Sequence, residues 1–401
     1  MNGEAHASGA GRSGRSAVFS ILASRFTYSI NWYTTATPAL SLIALQYAVP
    51  GAFIGLIPSI FLLGVGLFQL PAGVLSSKYG SKPVALGGLL LLSISSIATP
   101  FAPDFPVLLA FRFLAGTGAA VFFSPAIGVL SSFSPKEGRT GVIGLYNAAF
   151  SLGAGLALLL WPALVRTAGW QTGVLLGGVL SLVTFMYSLF AVDMKRAVEN
   201  PVTGVTRGEI FSVIRNGQVW IIAMGLVGIW GVYNALPQFM FSYATVYLGL
   251  PPDSVIAPAM ASIILFVGLI GGLLSGPLHR NIRNARTLLI IISVLFALSL
   301  PLFMLRSVPA ALAGSAAVGI LFTAGVTITY ALPAHMKGVG LKNIPLAVSL
   351  VNSIQVLGGF WVATLFSYVL YHLGYYWTFP VMIAVSVVFL PIYVFKMRPM
   401  D

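Results

Sequence analysis

Twelve long apolar stretches make up this chain. They fall near residues 18–42, 52–76, 81–102, 106–132, 139–164, 171–193, 218–247, 256–279, 286–305, 309–334, 343–370 and 374–396. A helix that crosses a hydrocarbon layer about 30 Å thick needs about 20 apolar residues, and each stretch is about that long or longer. Strands of a membrane barrel would run about ten residues and alternate polar with apolar. These stretches are longer and apolar on all sides, so each is expected to be a spanning α-helix. Of the 401 residues, 58% are hydrophobic and only 7% charged, whereas a soluble domain carries about 25% charged residues. With so few charges, most of the surface must face lipid.

Lys and Arg mark the cytoplasmic loops of membrane proteins. With the N-terminus inside, seventeen of the 21 Lys and Arg residues fall on the cytoplasmic side, in the tail, in segments 78–82, 136–139, 195–215, 280–286 and 337–342, and at the C-terminus. Arg166 and Arg306 fall outside, and Arg25 and Arg112 fall within spans. This placement accounts for the net charge of +13 without nucleic acid. A multi-pass plasma-membrane protein is expected, with both termini cytoplasmic, the lipid bilayer as its partner, and a monomeric state. The first stretch is too long and continuous for a secretory signal. With no cysteine there is no disulfide or thiolate metal site, and no His/carboxylate cluster has metal-ligand spacing. No metal or other cofactor is expected, and no phosphate-binding Gly-Lys-Ser/Thr loop points to ATP.

The domain boundaries follow from polarity. Residues 1–16, rich in Gly, Ser and Ala, are expected to form a disordered cytoplasmic tail. Residues 17–194 form a first six-helix bundle, 195–217 a polar cytoplasmic linker, 218–396 a second six-helix bundle, and 397–401 a short tail. Within the linker, 208–215 reads either as a short amphipathic helix or as a plain tether.

The halves resemble each other at an offset of 203–205 residues: Gly73 to Lys82 with Gly276 to Arg283, Asn147 with Asn352, Gly153 with Gly358, and Gly169-Trp170 with Gly374-Tyr375. In addition, Gly73, Leu75, Lys78, Gly80 and Lys82 match a Gly-x-Leu-x-Asp-Arg/Lys-x-Gly-Arg/Lys-Arg/Lys loop, with Ser77 in place of the Asp and Ser81 off pattern. Arg112, Gly116 and Gly118 follow an Arg-x-x-x-Gly-x-Gly pattern, and Pro135 and Arg139 fit the following loop. On these residues the chain resembles the major facilitator superfamily over nearly its whole length. The resemblance implies an all-α membrane fold of twelve helices in two pseudo-symmetric six-helix bundles. These would rock about a central cavity lined by helices 1, 4, 7 and 10. Gly73, Ser77, Lys78, Gly80, Lys82, Gly116 and Gly118 would then belong to gating motifs. Ser77 removes the acid of the family's cytoplasmic charge latch. The family's fifth-helix antiporter signature is absent, with Gly153, Gly155, Trp161 and Pro162 as partial echoes.

Polar groups inside spans are costly and are therefore functional suspects. All eight acids, Glu4, Asp104, Glu137, Asp193, Glu199, Glu209, Asp253 and Asp401, fall in loops, tails or helix ends. No buried carboxylate is available to carry a proton or to hold a cation. Two arginines are embedded. Arg25 shares one helical face with Tyr28, Ser29 and Trp32, with Thr35 at its edge. It is placed either to clamp an anion bidentately or to snorkel to the interface. Arg112 is placed either to touch the substrate or to serve structure and gating. Trp230, Tyr233, Asn234, Pro237, Gln238 and Phe241 form a stripe on the seventh span, and Thr323, Thr327 and Tyr330 on the tenth. Asn147, Asn352 and Gln355 lie mid-span on the fifth and eleventh. These neutral groups suit a small polar solute or interhelical hydrogen bonds equally. His279, His335 and His372 fall near helix ends.

The leading expectation is a secondary transporter, not an enzyme, that carries a small organic or inorganic anion by alternating access. Its coupling would be exchange or cotransport with a substrate-borne proton or other ion. The alternative is a facilitator or exporter of neutral or hydrophobic solutes, with both arginines structural. A membrane-embedded enzyme lacks any catalytic cluster, and a receptor lacks a soluble signalling domain.

Overall fold

The computed structural model describes residues 2–134, 139–196, 207–281, 284–336, 339 and 344–397. Pro135, Lys136, Glu137, Glu199, Arg283, Lys337, Lys342 and Arg398 lie outside them. Every regular element among the described residues is helical. Among the described residues, nine helical segments are long and apolar enough to cross a membrane. Two of these, Gly141–Ala191 and Leu346–Lys396, run 51 residues each, about 77 Å if straight and more than twice the hydrocarbon thickness. Each is broken inside, at Gly169 (φ 84°) and Gly374 (φ 76°). Only glycine enters that backbone region freely, so the Gly169-Trp170 and Gly374-Tyr375 pairs are two copies of one helix-to-helix turn. The nine segments thus become eleven. The helix expected as the first span, Asn2–Tyr33, is additional to them.

The helices are numbered by span. They are α1 (Asn2–Tyr33), α2 (Leu56–Tyr79), α3 (Ser81–Ala98), α4 (Phe105–Ser132), α5 (139–168), α6 (170–191), α7 (Gly217–Tyr247), α8 (Ile256–Asn281), α9 (Ala285–Ser299), α10 (Val308–Ala331), α11 (344–373) and α12 (375–396). α1 begins inside the segment expected as a tail. The linker segment is helical over Arg207–Ile214. Helix starts use the residues that satisfy free N–H groups: Asp104 accepts from Val107 N at 2.8 Å, Asn216 from Gln218 N at 3.1 Å, and Asn284 from Thr287 N at 3.3 Å. Gly80 (φ 88°) ends α2.

The first span departs from its expected limits of 18–42. α1 stops at Tyr33, turns occupy 34–38, and a short helix resumes at Ala39–Gln46. Pro38 supplies no N–H and disfavours helix at the residue before it. The freed Thr37 N–H instead donates to the carbonyl of Gln238 in α7 at 2.8 Å.

In lipid the helices gain nothing from hydrophobic exclusion, so close packing through small residues must hold them together. The same crossing is built twice. Gly64 of α2 lies against the α4 backbone at Phe113 and Thr117, and Gly116 of α4 lies against the carbonyl of Phe61. In the second half, Gly268 of α8 meets Gly319 of α10, and Gly319 lies against Ile264. The offsets, 204 and 203 residues, fall in the range read from the sequence. The halves meet along two seams. In one, Gly66 of α2 faces Leu357 of α11, and Ser353 donates to the Gly66 carbonyl at 2.5 Å. In the other, Gly155 of α5 faces Phe266 of α8.

The Gly116 crossing has a direct consequence for stability. A methyl at Gly116 meets the Phe61 backbone, whereas one at Gly87, in the interior of α3, meets nothing within 4 Å. Gly116→Ala should therefore destabilise the folded protein by about 1–3 kcal/mol. Gly87→Ala should be neutral or stabilising by up to about 1 kcal/mol. Thermal unfolding of both variants in one detergent, read against wild type, measures the contrast.

Candidate functional site

Arg25 is only 5% exposed and stands in a cage of aromatic rings. Its guanidinium carbon lies 4.4 Å from the ring centre of Tyr28, 4.5 Å from Phe150, 4.7 Å from Phe123 and 4.7 Å from Tyr146. Rings at such distances attract a cation through their quadrupoles, the more strongly when water is excluded. The cage comes from α1, α4 and α5, all in the first half. Nε and Nη1 of Arg25 are buried without a hydrogen-bond partner. The snorkelling alternative is therefore not what the side chain does. It turns into the protein instead.

The stripe expected along α1 is present. Tyr28 and Trp32 have ring centres 5.9 Å apart, and Trp32 continues to Phe61 at 5.1 Å and Phe150 at 5.6 Å. Ser29 faces the α5 glycine Gly153 and donates to the Phe26 carbonyl at 2.7 Å. At the other end of this ring series, Arg112 lies 4.6 Å from the centre of Phe61. Arg112 is fully buried. Its Nη1 donates to the Asn31 carbonyl at 3.4 Å, while Nε and Nη2 have no partner.

From the second half, Tyr330 of α10 lies within electrostatic range of Arg25. Its hydroxyl donates to Asn352 Oδ1 at 2.5 Å, with Gln355 Oε1 at 3.5 Å. Gln355 Nε2 is buried and unpartnered. Tyr330, Asn352 and Gln355 are thus one neutral polar cluster opposite one positive charge. The other expected residues are placed differently. Asn147 and Thr327 are exposed, and Thr327 donates to the Thr323 carbonyl at 2.7 Å. Tyr233 stacks on Phe322 at 3.5 Å, Asn234 donates to the Trp230 carbonyl at 2.9 Å, and Trp230 packs on Gly359. Gln238 Nε2 reaches the Trp32 carbonyl at 3.5 Å.

The halves are joined at the end remote from Lys78 and Lys82. Thr37 Oγ1 donates to the Gln238 carbonyl at 2.9 Å and accepts from Ser242 N at 3.3 Å. Ser367 Oγ donates to the Ala52 carbonyl at 2.8 Å and accepts from Gly55 N at 3.1 Å, and Thr364 meets Ser59 at 2.8 Å. Nearer the basic end, Ser124 and Ser349 lie 3.2 Å apart. Among the described residues no group of three or more His, Asp or Glu residues could hold a metal.

The family model of the Major Facilitator Superfamily matches residues 19–363. The chain belongs to that superfamily. The 4-hydroxybenzoate transporter PcaK of Pseudomonas aeruginosa is 29% identical over 36% of this chain and 32% of its own length. The niacin transporter NiaP of Acinetobacter baylyi is 30% identical over 41% of this chain and 36% of its own. The probable nitrate/nitrite antiporter NarK1 of Thermus thermophilus is 25% identical over 78% of this chain and 75% of its own. Against the first three curated relatives the match spans between about a third and a half of their length. A bacterial homologue of the human lysosomal transporter Spinster shares the fold, with TM-score 0.77 at 15% identity over 97% of this chain and 98% of that one. The protein is an integral membrane protein of that superfamily.

Within a superfamily member, the loop after α2 takes on a specific geometry. Gly80 supplies the left-handed turn, Lys82 Nζ donates to the Leu189 carbonyl near the end of α6 at 3.3 Å, and Lys78 is exposed beside the Tyr79 ring. Ser77 donates to the Val74 carbonyl of its own helix at 2.8 Å, so that bond makes no link to the other half. Gly73 has open space around it. Gly116 and Gly118 set the close approach of α4 to α2 and α3 respectively.

The rings around Arg25 contributed by α4 and α5 (Phe123, Tyr146 and Phe150) were not among the residues singled out from sequence. Their one available signal was the four-residue spacing of Tyr146 and Phe150 beside Asn147.

The Thr37 clamp can be tested directly, because a chain with no cysteine accepts a single introduced thiol as a probe. Ser59 is buried at the joined end, and S59C places the thiol there. Adding Thr37→Val removes two hydrogen bonds of about 0.6 kcal/mol each and should speed maleimide labelling of that thiol about eightfold. An unchanged rate would show that the clamp does not hold this end shut.

Proposed function

We propose that this transporter carries a small anion, organic or inorganic, by alternating access, with Arg25 as the anchor. The observation that carries the reading is a buried guanidinium with two unpartnered nitrogens and no carboxylate in any span. A planar guanidinium presents paired N–H donors that match a carboxylate or nitrate. The aromatic cage covers part of this cation and leaves those nitrogens for the ligand. Tyr28 and Trp32 form one wall. Tyr330, Asn352 and Gln355 supply hydroxyl and amide groups from the other half, so the anion contacts both bundles and closes them around itself. The names of the relatives point the same way, since 4-hydroxybenzoate, nitrate and nitrite are anions. The basic loops support an orientation with both termini on the cytoplasmic side of the plasma membrane.

The rings around Arg25 support a second reading, in which a neutral or hydrophobic solute fills an aromatic cavity. The two readings separate in a ligand-induced thermal-shift measurement on detergent-purified protein with 4-hydroxybenzoate, nicotinate, nitrate and uncharged aromatic amides. An anion at about 100 times its dissociation constant should stabilise wild type by about 2.7 kcal/mol. Arg25→Gln should lose that shift, and Arg25→Lys, a point charge without the fork, should keep a smaller one. If Arg25→Gln shifts as wild type does, Arg25 is not the anchor. If only the uncharged amides stabilise, the second reading replaces the first.

A further inference from the structure

We infer that the transporter works as an anion exchanger: it crosses between its two facing states with an anion bound and makes the empty crossing poorly. This rests on Arg25 as the anion anchor and adds the mode of coupling. Four buried guanidinium nitrogens, Nε and Nη1 of Arg25 and Nε and Nη2 of Arg112, have no hydrogen-bond partner. By sequence all eight acids of the chain fall outside the middles of the apolar stretches, so none stands mid-span to neutralise them. Tyr330, Asn352 and Gln355, the groups that the second half brings to the site, are neutral.

The cage does not remove this requirement. Tyr28, Phe123, Tyr146 and Phe150 all belong to the first half and move with Arg25 as one body. Their attraction for the cation is therefore the same whichever way the cavity faces. What changes during the crossing is water. An open cavity lets solvent screen the guanidinium, and an occluded one excludes it. The empty carrier must then pass through a state with an uncompensated buried cation, which is far costlier than a buried ion pair. The loaded carrier passes through the same state as Arg25 plus anion. A proton cannot stand in, because it adds positive charge. A carrier with a carboxylate beside the arginine could close an internal pair when empty, and this chain has none in its spans.

The test uses the full-length protein in liposomes loaded with isotope-labelled 4-hydroxybenzoate, nicotinate or nitrate at neutral pH, with leakage from protein-free liposomes subtracted. Efflux is compared with the same unlabelled anion outside and with dextran sulfate as the only external anion, with equal potassium on both sides and valinomycin present to carry the compensating charge. The expected result is efflux at least about tenfold faster in the presence of the small external anion. Equal rates in the two media, both abolished by Arg25→Gln, would overturn the exchange inference and leave the anion reading standing. No protein-dependent flux and no thermal shift with any of the three anions would overturn both. The variant Gln355→Glu tests the cause, since it places a carboxylate in the cluster opposite Arg25. Its ratio of exchange to net efflux should fall toward one. If it transports with the wild-type ratio, charge is not what blocks the empty crossing and the inference fails.

Discussion

Hydrocarbon offers no hydrogen bonds, so each backbone group in a span must be satisfied within the protein. That condition makes every regular element among the described residues a helix and makes each polar side chain within a span costly. It also removes the usual driving force for packing, because lipid tails are as apolar as leucine. What remains is close approach, and the paired crossings at Gly64 with Gly116 and at Gly268 with Gly319 show it operating identically in both halves. The two bundles are alike because the same small residues recur at the same places. They meet where Gly66 lies against Leu357 and Gly155 against Phe266.

Within that frame the halves divide the chemistry unequally. Both embedded arginines and the rings that hold them belong to the first half, while the second half faces Arg25 with a hydroxyl and two amides. A buried cation without a counter-ion is tolerable only where something polarisable surrounds it, and rings within 4.7 Å of Arg25 provide that. The cage stabilises the charge and leaves Nε and Nη1 of Arg25 without a hydrogen-bond partner.

Much of this was legible in the sequence, for identifiable reasons. Length and apolarity of the stretches specified helices, since only helices suit such segments in lipid. Gly169 and Gly374 were legible as a pair because a turn with positive φ demands glycine at both places. Arg25 stood out because charge in a span is rare. The cage did not, because Phe123, Tyr146 and Phe150 are ordinary apolar residues whose convergence on Arg25 depends on how α1, α4 and α5 pack. Nor did the break in α1: Pro38 signals a helix end, but only the packed structure shows Thr37 bonded to α7. The stripe on α7 suited a polar solute or interhelical hydrogen bonds equally by its sequence; in the fold Asn234 donates to its own helix and Tyr233 stacks on Phe322. Periodicity names the face of a helix and leaves open whether a neighbour already covers it.

The break in α1 and the cage around Arg25 lie on one helix, about two to three turns apart. α1 therefore carries Arg25 about two turns from its C-terminal end, and the turns that follow it carry the bond to α7. Between them run Tyr28 and Trp32, with Trp32 touching both the Phe61 ring of α2 and the Phe150 ring of α5. A ligand that shifts Arg25 must move these rings. The backbone at Trp32 is itself an acceptor for Gln238 of α7, whose carbonyl takes both Thr37 donors. Arg25 and the Thr37 bonds are thus linked through the end of α1 and one glutamine. A ligand bound at Arg25, as proposed above, would thereby have a physical route to the joined end.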